Sequence, residues 1–397
     1  MATYNLAASD LITLLNSTVT TQTGRAILES IESAFNSAFP FANTSVQTSN
    51  GPADTVPGGY KIDYSATVAA GTQLELIALP GSTSVTGATY TTVSAGTETV
   101  KTAFTINTSG GVVIGAGDQY VGLTDYNSST TADTLIGGAY WERLVSGSGN
   151  NVLVGGTGLN SLVGGSGADT LIGGGKSHLQ AGSGANVLMS STLSTARDHL
   201  TGSTGPDKLI AQAGNNRLVA GNGANTLVGG SGHDTLVSGG QTTFQINSGA
   251  TRVVESVNGA HDTIFAGSGS DTVLLSYGTS NEAASIVGSS GELRITDLSG
   301  SNTIVGGSGS DTVVLSSSVY SGNGSSQTNT SNQTITAGTG GVRVITDESG
   351  AVGSYTESQS GSAYTVKFAD SGQTLTINDT TGDSVKIVFS NGSHTTV

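Results

Sequence analysis

Between residues 128 and 314 the chain repeats itself every nine residues, and a chain built this way stacks copies of one small unit instead of folding around a single central core. Gly164-Gly165-Ser166-Gly167-Ala168-Asp169-Thr170-Leu171-Ile172 is the cleanest copy, and residues 229–237 and 306–314 repeat it almost letter for letter. The same frame gives sixteen units, starting at 128, 137, 146, 155, 164, 181, 193, 202, 211, 220, 229, 246, 257, 266, 297 and 306. Every eighth position is aliphatic, from Leu135, Leu144 and Leu153 through Val253 to Ile304 and Val313. Glycines at positions one, two and four permit the positive φ angles of a tight turn, and the last three residues suit a short strand with one side chain facing inward. Two units then make one coil, and coils must stack because none can bury its own leucines alone. The expected architecture is all-β, a parallel β-solenoid.

The nonapeptide Gly-Gly-x-Gly-x-Asp-x-(aliphatic)-x resembles that of RTX (repeats-in-toxin) proteins, and it recurs in phase over about half of the chain. The resemblance implies a right-handed β-roll in which Ca2+ is held between stacked turns by position-six carboxylates and backbone carbonyls. The residues at that place are Asp133, Asp169, Asp198, Asp207, Asp234, Asp262, Asp271 and Asp311. This chain departs from the family pattern. Turns on one side of the roll are two units apart, which gives the runs Asp133, Asn151, Asp169 and Asp198, Asn216, Asp234, with Asp207 over Asn225 on the other side. Elsewhere position six holds Glu142, Asn160, Asn186, Thr251 or Asn302. A hard cation binds less well as charged oxygens are removed, so fewer calcium ions than turns are expected, the best near Asp169, Asp207, Asp234, Asp271 and Asp311. The alternative is a metal-free ladder in which each Asn amide donates to a neighbouring Asp.

Thirteen Lys and Arg against 28 Asp and Glu leave a net charge of −15, and no basic face is visible in the sequence, which argues against nucleic acid as a partner. The absence of cysteine excludes disulfides and thiolate metal sites. Neither a basic leader with an apolar run nor a membrane span is present, so export is expected to rely on another signal. The hydroxyl-rich ending, Ser390 to Val397, resembles the uncleaved tails that RTX-like proteins present to type I exporters.

Four regions follow from the pattern. Residues 1–42 carry the helical signals, with Ser9-Asp10 as a cap, Ile27, Leu28, Ile31 and Phe35 at helical spacing and Pro40 as the stop, and read as an N-terminal helical cap or docking segment. Residues 43–127 alternate as strands without the nonapeptide, as an irregular start of the solenoid or a small sandwich. Residues 128–315 form the roll, in which 173–180 and 238–245 are short units and 190–195 and 275–287 are interrupting loops. Residues 316–397 read as a long polar loop over 316–330 followed by an antiparallel C-terminal β cap with the secretion tail.

Catalytic signatures are missing. His178, His199, His233, His261 and His394 show no ligand spacing, and neither His-Glu-x-x-His nor Gly-x-Ser-x-Gly occurs. Gly174-Gly175-Lys176-Ser177 imitates the end of a phosphate loop, but Thr170 stands where the first glycine is required. Trp141, the one tryptophan, follows Tyr140 and suits either a sugar contact or module packing. Regular threonine arrays of the kind an ice-binding face needs are not visible. The chain therefore reads as a secreted structural protein, not an enzyme. It is expected to self-associate head to tail or in a lattice, as an S-layer-like or filament subunit, with cell-surface polysaccharide as a further partner. The alternative is an RTX-type adhesin for carbohydrate or another surface ligand.

Overall fold

Each nine-residue unit folds as one turn and one short strand, and the strands of alternate units lie side by side. The computed structural model describes strand backbone at residues 3–6, 44–47, 61–64, 74–79, 84–94, 97–107, 112–115 and 120–125. From residue 130 onward it describes the chain apart from 131, 138–140, 157, 256–260, 276–282, 298–299, 321–325 and 379–384. The chain divides into two units, residues 1–204 and 205–397.

In the first unit one sheet is built from Thr134–Ile136, Val152–Val154, Thr170–Ile172 and Val187–Met189, all parallel and in register. The other contains Trp141–Val145, Leu159–Val163, Lys176–Gln180 and His199–Thr201. Register places Leu135, Leu153, Leu171 and Leu188 in one inward column and Leu144, Leu162, Leu179 and Leu200 in the other, and all eight are fully buried. Each such leucine stabilises the stack by roughly 2 kcal/mol through apolar burial, and it does so only because coils above and below cover it. Residues 173–180, expected as a short unit, form a complete rung. They lose one residue from the turn and keep Leu179 in the inward column.

Before residue 130 the stack has already begun. Val112–Gly115 pairs in parallel with Thr134–Ile136, and Tyr120–Asp125 lies in parallel between Thr97–Asn107 and Trp141–Val145. These pairings place Thr97–Asn107, Val112–Gly115 and Tyr120–Asp125 beside the rungs of the parallel stack. Antiparallel pairs join it: Ser84–Ser94 with Thr97–Asn107, and Lys61–Tyr64 with Leu74–Leu79. Thr3–Leu6 pairs with Thr44–Gln47. The helical segment expected between those two strands lies outside the described residues.

The second unit repeats the design on two sheets. One runs through Lys208–Ile210, Asn225–Val228, Thr242–Gln245, Thr263–Phe265, Ser285–Val287 and Thr303–Val305. The other runs through Arg217–Val219, Thr235–Val237, Arg252–Val254, Asp271–Leu275, Leu293–Asp297 and Asp311–Leu315. Residues 238–245 again form a full rung, with Phe244 buried between Leu227 and Ile264. Three expectations need correction here. The end of the expected loop over 275–287 is the rung strand Ser285–Val287, whose Ile286 is fully buried. The polar stretch 316–330 holds a hairpin, Ser318–Tyr320 against Ser326–Thr328. And the parallel stack continues past residue 315: Asn332–Thr336 and Thr374–Asn378 extend one sheet, Val342–Thr346 and Val385–Val388 the other. Ile335, Val344, Ile377 and Ile387 are buried at the inward place, but position six of their rungs is Gln333, Val342, Leu375 and Val385 and not Asp or Asn, and only Val344 follows a glycine-rich turn, Gly338 to Gly341, so these rungs fall outside the nonapeptide pattern. Beyond that hairpin, the antiparallel strands among the described residues of this region are Tyr355–Ser360 and Ala363–Phe368 laid on Thr374–Asn378, and His394–Thr396 laid on Val385–Val388.

Position seven of each rung faces outward. In one sheet of the second unit it is a hydroxyl residue on seven consecutive rungs: Thr226, Thr243, Thr263, Ser285, Thr303, Thr334 and Thr376. The sequence reading found no regular threonine array because its members are 17 residues apart in one place (226 to 243) and 42 in another (334 to 376).

Candidate calcium turns

The turn of residues 164–169 shows why the repeat needs three glycines, each for a separate reason. A Cβ on Gly164 would lie 2.9 Å from Asp169 Oδ2, so the first glycine makes room for the carboxylate of its own turn. A Cβ on Gly165 would overlap the Gly147 carbonyl oxygen of the coil before, so the second lets stacked backbones approach. Gly167 has φ of 127° and also meets the Gly149 carbonyl; only here is left-handed backbone the requirement. Positive φ for all three, the sequence-based explanation, holds for the fourth position alone in this turn.

With the turns packed this closely, each position-six side chain reaches the coil before it. The Asp133 N–H donates to Asn151 Oδ1 at 2.9 Å, the Asn151 N–H to Asp169 Oδ1 at 2.8 Å, and the Asp169 N–H to Asn186 Oδ1 at 2.8 Å. In the second unit the same link joins the Asn216 N–H to Asp234 Oδ1, Thr251 to Asp271, Asp207 to Asn225 and Thr242 to Asp262. On the other side of the first unit Asp198 accepts from Ser177 and Ser191, both at 2.6 Å. Asp and Asn are interchangeable for this bond because both offer an oxygen. The ladder is thus hydrogen-bonded, with backbone N–H groups as its regular donors, and an amide can add to it, as Asn216 Nδ2 does by donating to Asp234 Oδ1 at 3.1 Å.

The second atom of the side chain separates the two residues. In Asn160, Asn186 and Asn225 the amide nitrogen donates to the carbonyls of positions two and four of its own turn, Gly156 and Gly158, Gly182 and Gly184, Gly221 and Gly223. An Asp has no donor to set against those carbonyls. Its second oxygen instead accepts the position-two N–H, at 2.9 Å from Gly230 to Asp234, Gly267 to Asp271 and Gly307 to Asp311. An Asn turn therefore carries its own side-chain donor for those carbonyls, whereas an Asp turn gathers a buried carboxylate beside backbone carbonyl oxygens that receive no amide from position six. That donor set, all hard oxygen, fits calcium, which would be held by the Asp turns through one carboxylate and backbone carbonyls. Among the described residues no three His, Cys, Asp or Glu side chains gather as a metal cluster.

All eight position-six aspartates are buried, at 1–3 % exposure. Burial raises the carboxyls of Asp169, Asp198, Asp234, Asp271 and Asp311 above the usual carboxylate range, against the opposing pull of the backbone N–H bonds they accept. Asp262 is pushed up to about 6, again by burial, and lies beside the buried carboxyl of Glu255. Glu255 was not among the sequence candidates, because it stands outside position six. On the second-unit sheet that begins with Arg217–Val219 the strict alternation extends further than the Asp/Asn pattern: position six reads Asn216, Asp234, Thr251, Asp271, Leu293, Asp311, an aspartate on every second rung.

Of the histidines singled out in sequence, His178, His233, His261 and His394 are exposed and His199 is half-buried. His178 and His199 stack across adjacent rungs with ring centroids 5.0 Å apart, and Trp141, 48 % exposed, registers with Leu159, 49 % exposed. Residues 145–175, 194–227, 201–236, 257–275 and 287–317 match the family described as RTX calcium-binding nonapeptide repeat (4 copies). No curated protein matches the chain.

Proposed function

We propose, from the premise that the chain is an RTX-repeat β-roll protein that binds calcium, that it is an extracellular structural protein whose folded solenoid associates with copies of itself into a layer or filament. The observation that carries this reading is the way the stack ends. Among the described strands, Tyr355–Ser360 pairs on one side only, with Ala363–Phe368, and His394–Thr396 pairs on one side only, with Val385–Val388. The first of these edges is six residues long, and Thr356 to Ser360 are all exposed. An unpaired edge accepts a strand from a second copy, and a head-to-tail contact of that kind propagates because it does not close.

Calcium supplies the timing. It is scarce inside cells and abundant outside, and a roll whose turns bury carboxylates gains stability when the ion arrives, so the chain stays threadable until it is exported. Export through the hydroxyl-rich C-terminal segment belongs to the same reading. No described helix is long and apolar enough to cross a membrane. The test is light scattering and electron microscopy of the full chain in millimolar calcium, beside a variant with Thr356→Lys and Ser358→Lys on the open edge. Assembly of the parent and its suppression in the variant are expected; a parent that stays monomeric at high concentration overturns the proposal.

A further inference from the structure

On the second-unit sheet that begins with Arg217–Val219, the outward position seven alternates between cation and hydroxyl. Arg217 registers with Thr235, Thr235 with Arg252, Arg252 with Thr272, Thr272 with Arg294, Arg294 with Thr312, Thr312 with Arg343, and Arg343 with Lys386. All five basic side chains are exposed and the three threonines half-buried. The chain has only 13 Lys and Arg, so five in one column is a marked concentration in a protein of net charge −15. Rungs lie ~4.8 Å apart, which sets successive arginines about 10 Å from one another. The intervening threonines keep like charges from standing directly opposite, an arrangement that would be destabilising, until the last pair. Beside this column runs a half-buried and mostly aliphatic one at position nine, including Val219, Val237, Val254, Leu274, Val314 and Ile345 and interrupted by Thr296 between Leu274 and Val314.

We propose that this face binds a linear anionic polysaccharide bearing about one carboxylate per disaccharide. Three features select that partner. The cations form a straight row with a fixed period, which suits an extended polymer and not a compact ligand. Their density, about one per 10 Å, is far below the one phosphate per ~1.7 Å of duplex DNA, and no aromatic side chain stands in either column for bases to stack on. And the adjoining aliphatic strip offers apolar contact to the C–H faces of sugar rings while the threonine hydroxyls offer hydrogen bonds. Arginine holds carboxylate through a planar fork, which fixes the polymer's register on the column. The face is separate from the calcium turns: the rungs carrying Asp234, Asp271 and Asp311 have threonine at position seven, and arginine occupies the rungs between them.

The test uses the full chain in calcium and three immobilised probes at equal ionic strength: hyaluronan, neutral dextran and a single-stranded DNA oligonucleotide. The wild type binds hyaluronan and not dextran, and weakens as salt rises. Replacing Arg252, Arg294 and Arg343 together with Gln lowers hyaluronan affinity roughly tenfold or more, three exposed ion pairs being lost, while the same three positions as Lys recover part of it. A control with Lys208→Gln and Lys367→Gln, equal in kind of charge change but off the column, leaves binding unchanged. Thermal unfolding of each variant separates the structural alternative, in which the arginines serve as counter-charges to the buried aspartates: lowered stability with intact hyaluronan binding overturns the proposal. So does tighter, arginine-dependent binding to the DNA probe, or equal binding to dextran.

Discussion

At position six, one atom decides what the turn requires. Asn and Asp make the same bond to the coil before, but only Asn closes its own turn, through the amide that reaches two carbonyls. Asp234 shows the other case, with both oxygens accepting backbone N–H groups and burial raising its carboxyl. Asp234→Asn exchanges the bond accepted from the Gly230 N–H for amide bonds to the turn's carbonyls and removes a buried charge, and is therefore expected to stabilise the calcium-free protein at neutral pH by about 1 kcal/mol and to remove calcium affinity at that turn. Thermal unfolding in chelator and titration calorimetry with calcium read the two halves of this prediction. A variant less stable than the parent in chelator contradicts the assignment of the turn.

A rung is the smallest element with a cost of its own. Its inward leucine is buried by the rungs on either side and by the facing sheet, and each rung touches few others, so damage stays local while cooperativity passes along the stack. Leu171 is fully buried in register with Leu153 and Leu188, and Leu171→Ala is expected to cost about 2–5 kcal/mol, since the packed coils cannot collapse into the space. Leu193, 45 % exposed in the loop that follows Val187–Met189, should lose only about 0.5 kcal/mol or less on the same change. Denaturant unfolding of the two variants checks the difference. Comparable losses would mean that the loop, and not the rung, sets stability.

Across the molecule the buried aspartates link folding to protons and to calcium. The folded carboxyls of Asp169, Asp198, Asp234, Asp262, Asp271 and Asp311 lie above the ordinary aspartate value, so the calcium-free fold binds protons more tightly than the unfolded chain does. The stability this linkage contributes is fully present below the unfolded value of about 3.8 and is lost as pH rises through the folded values, the highest being about 6 at Asp262. In chelator the melting temperature should therefore fall between pH 4 and pH 7, counter to the usual behaviour of carboxylates in salt bridges. In millimolar calcium the ion takes the proton's place, and the dependence should flatten or reverse. A chelated protein that melts higher at pH 7 than at pH 5 would show that these carboxylates are stabilised as anions by the protein alone.

The period of nine, the inward leucines and the alternation of Asp with Asn were legible in the sequence because they are local: a turn of fixed length and a strand of three residues repeat their letters. The solenoid and its position-six residues follow from that periodicity. What the sequence could not show lies perpendicular to the chain. Rungs without the nonapeptide, such as those of Ile335, Ile377 and Ile387, belong to the stack because parallel pairing recruits any strand with one aliphatic face, whatever turn precedes it. The hydroxyl column and the arginine column exist only once coils are superposed, since Arg217 and Arg252 are 35 residues apart in the chain and two rungs apart in the fold. Linear spacing varies with each loop, but rung spacing is fixed by backbone hydrogen bonding, so surface order that looks irregular along the chain becomes regular across it.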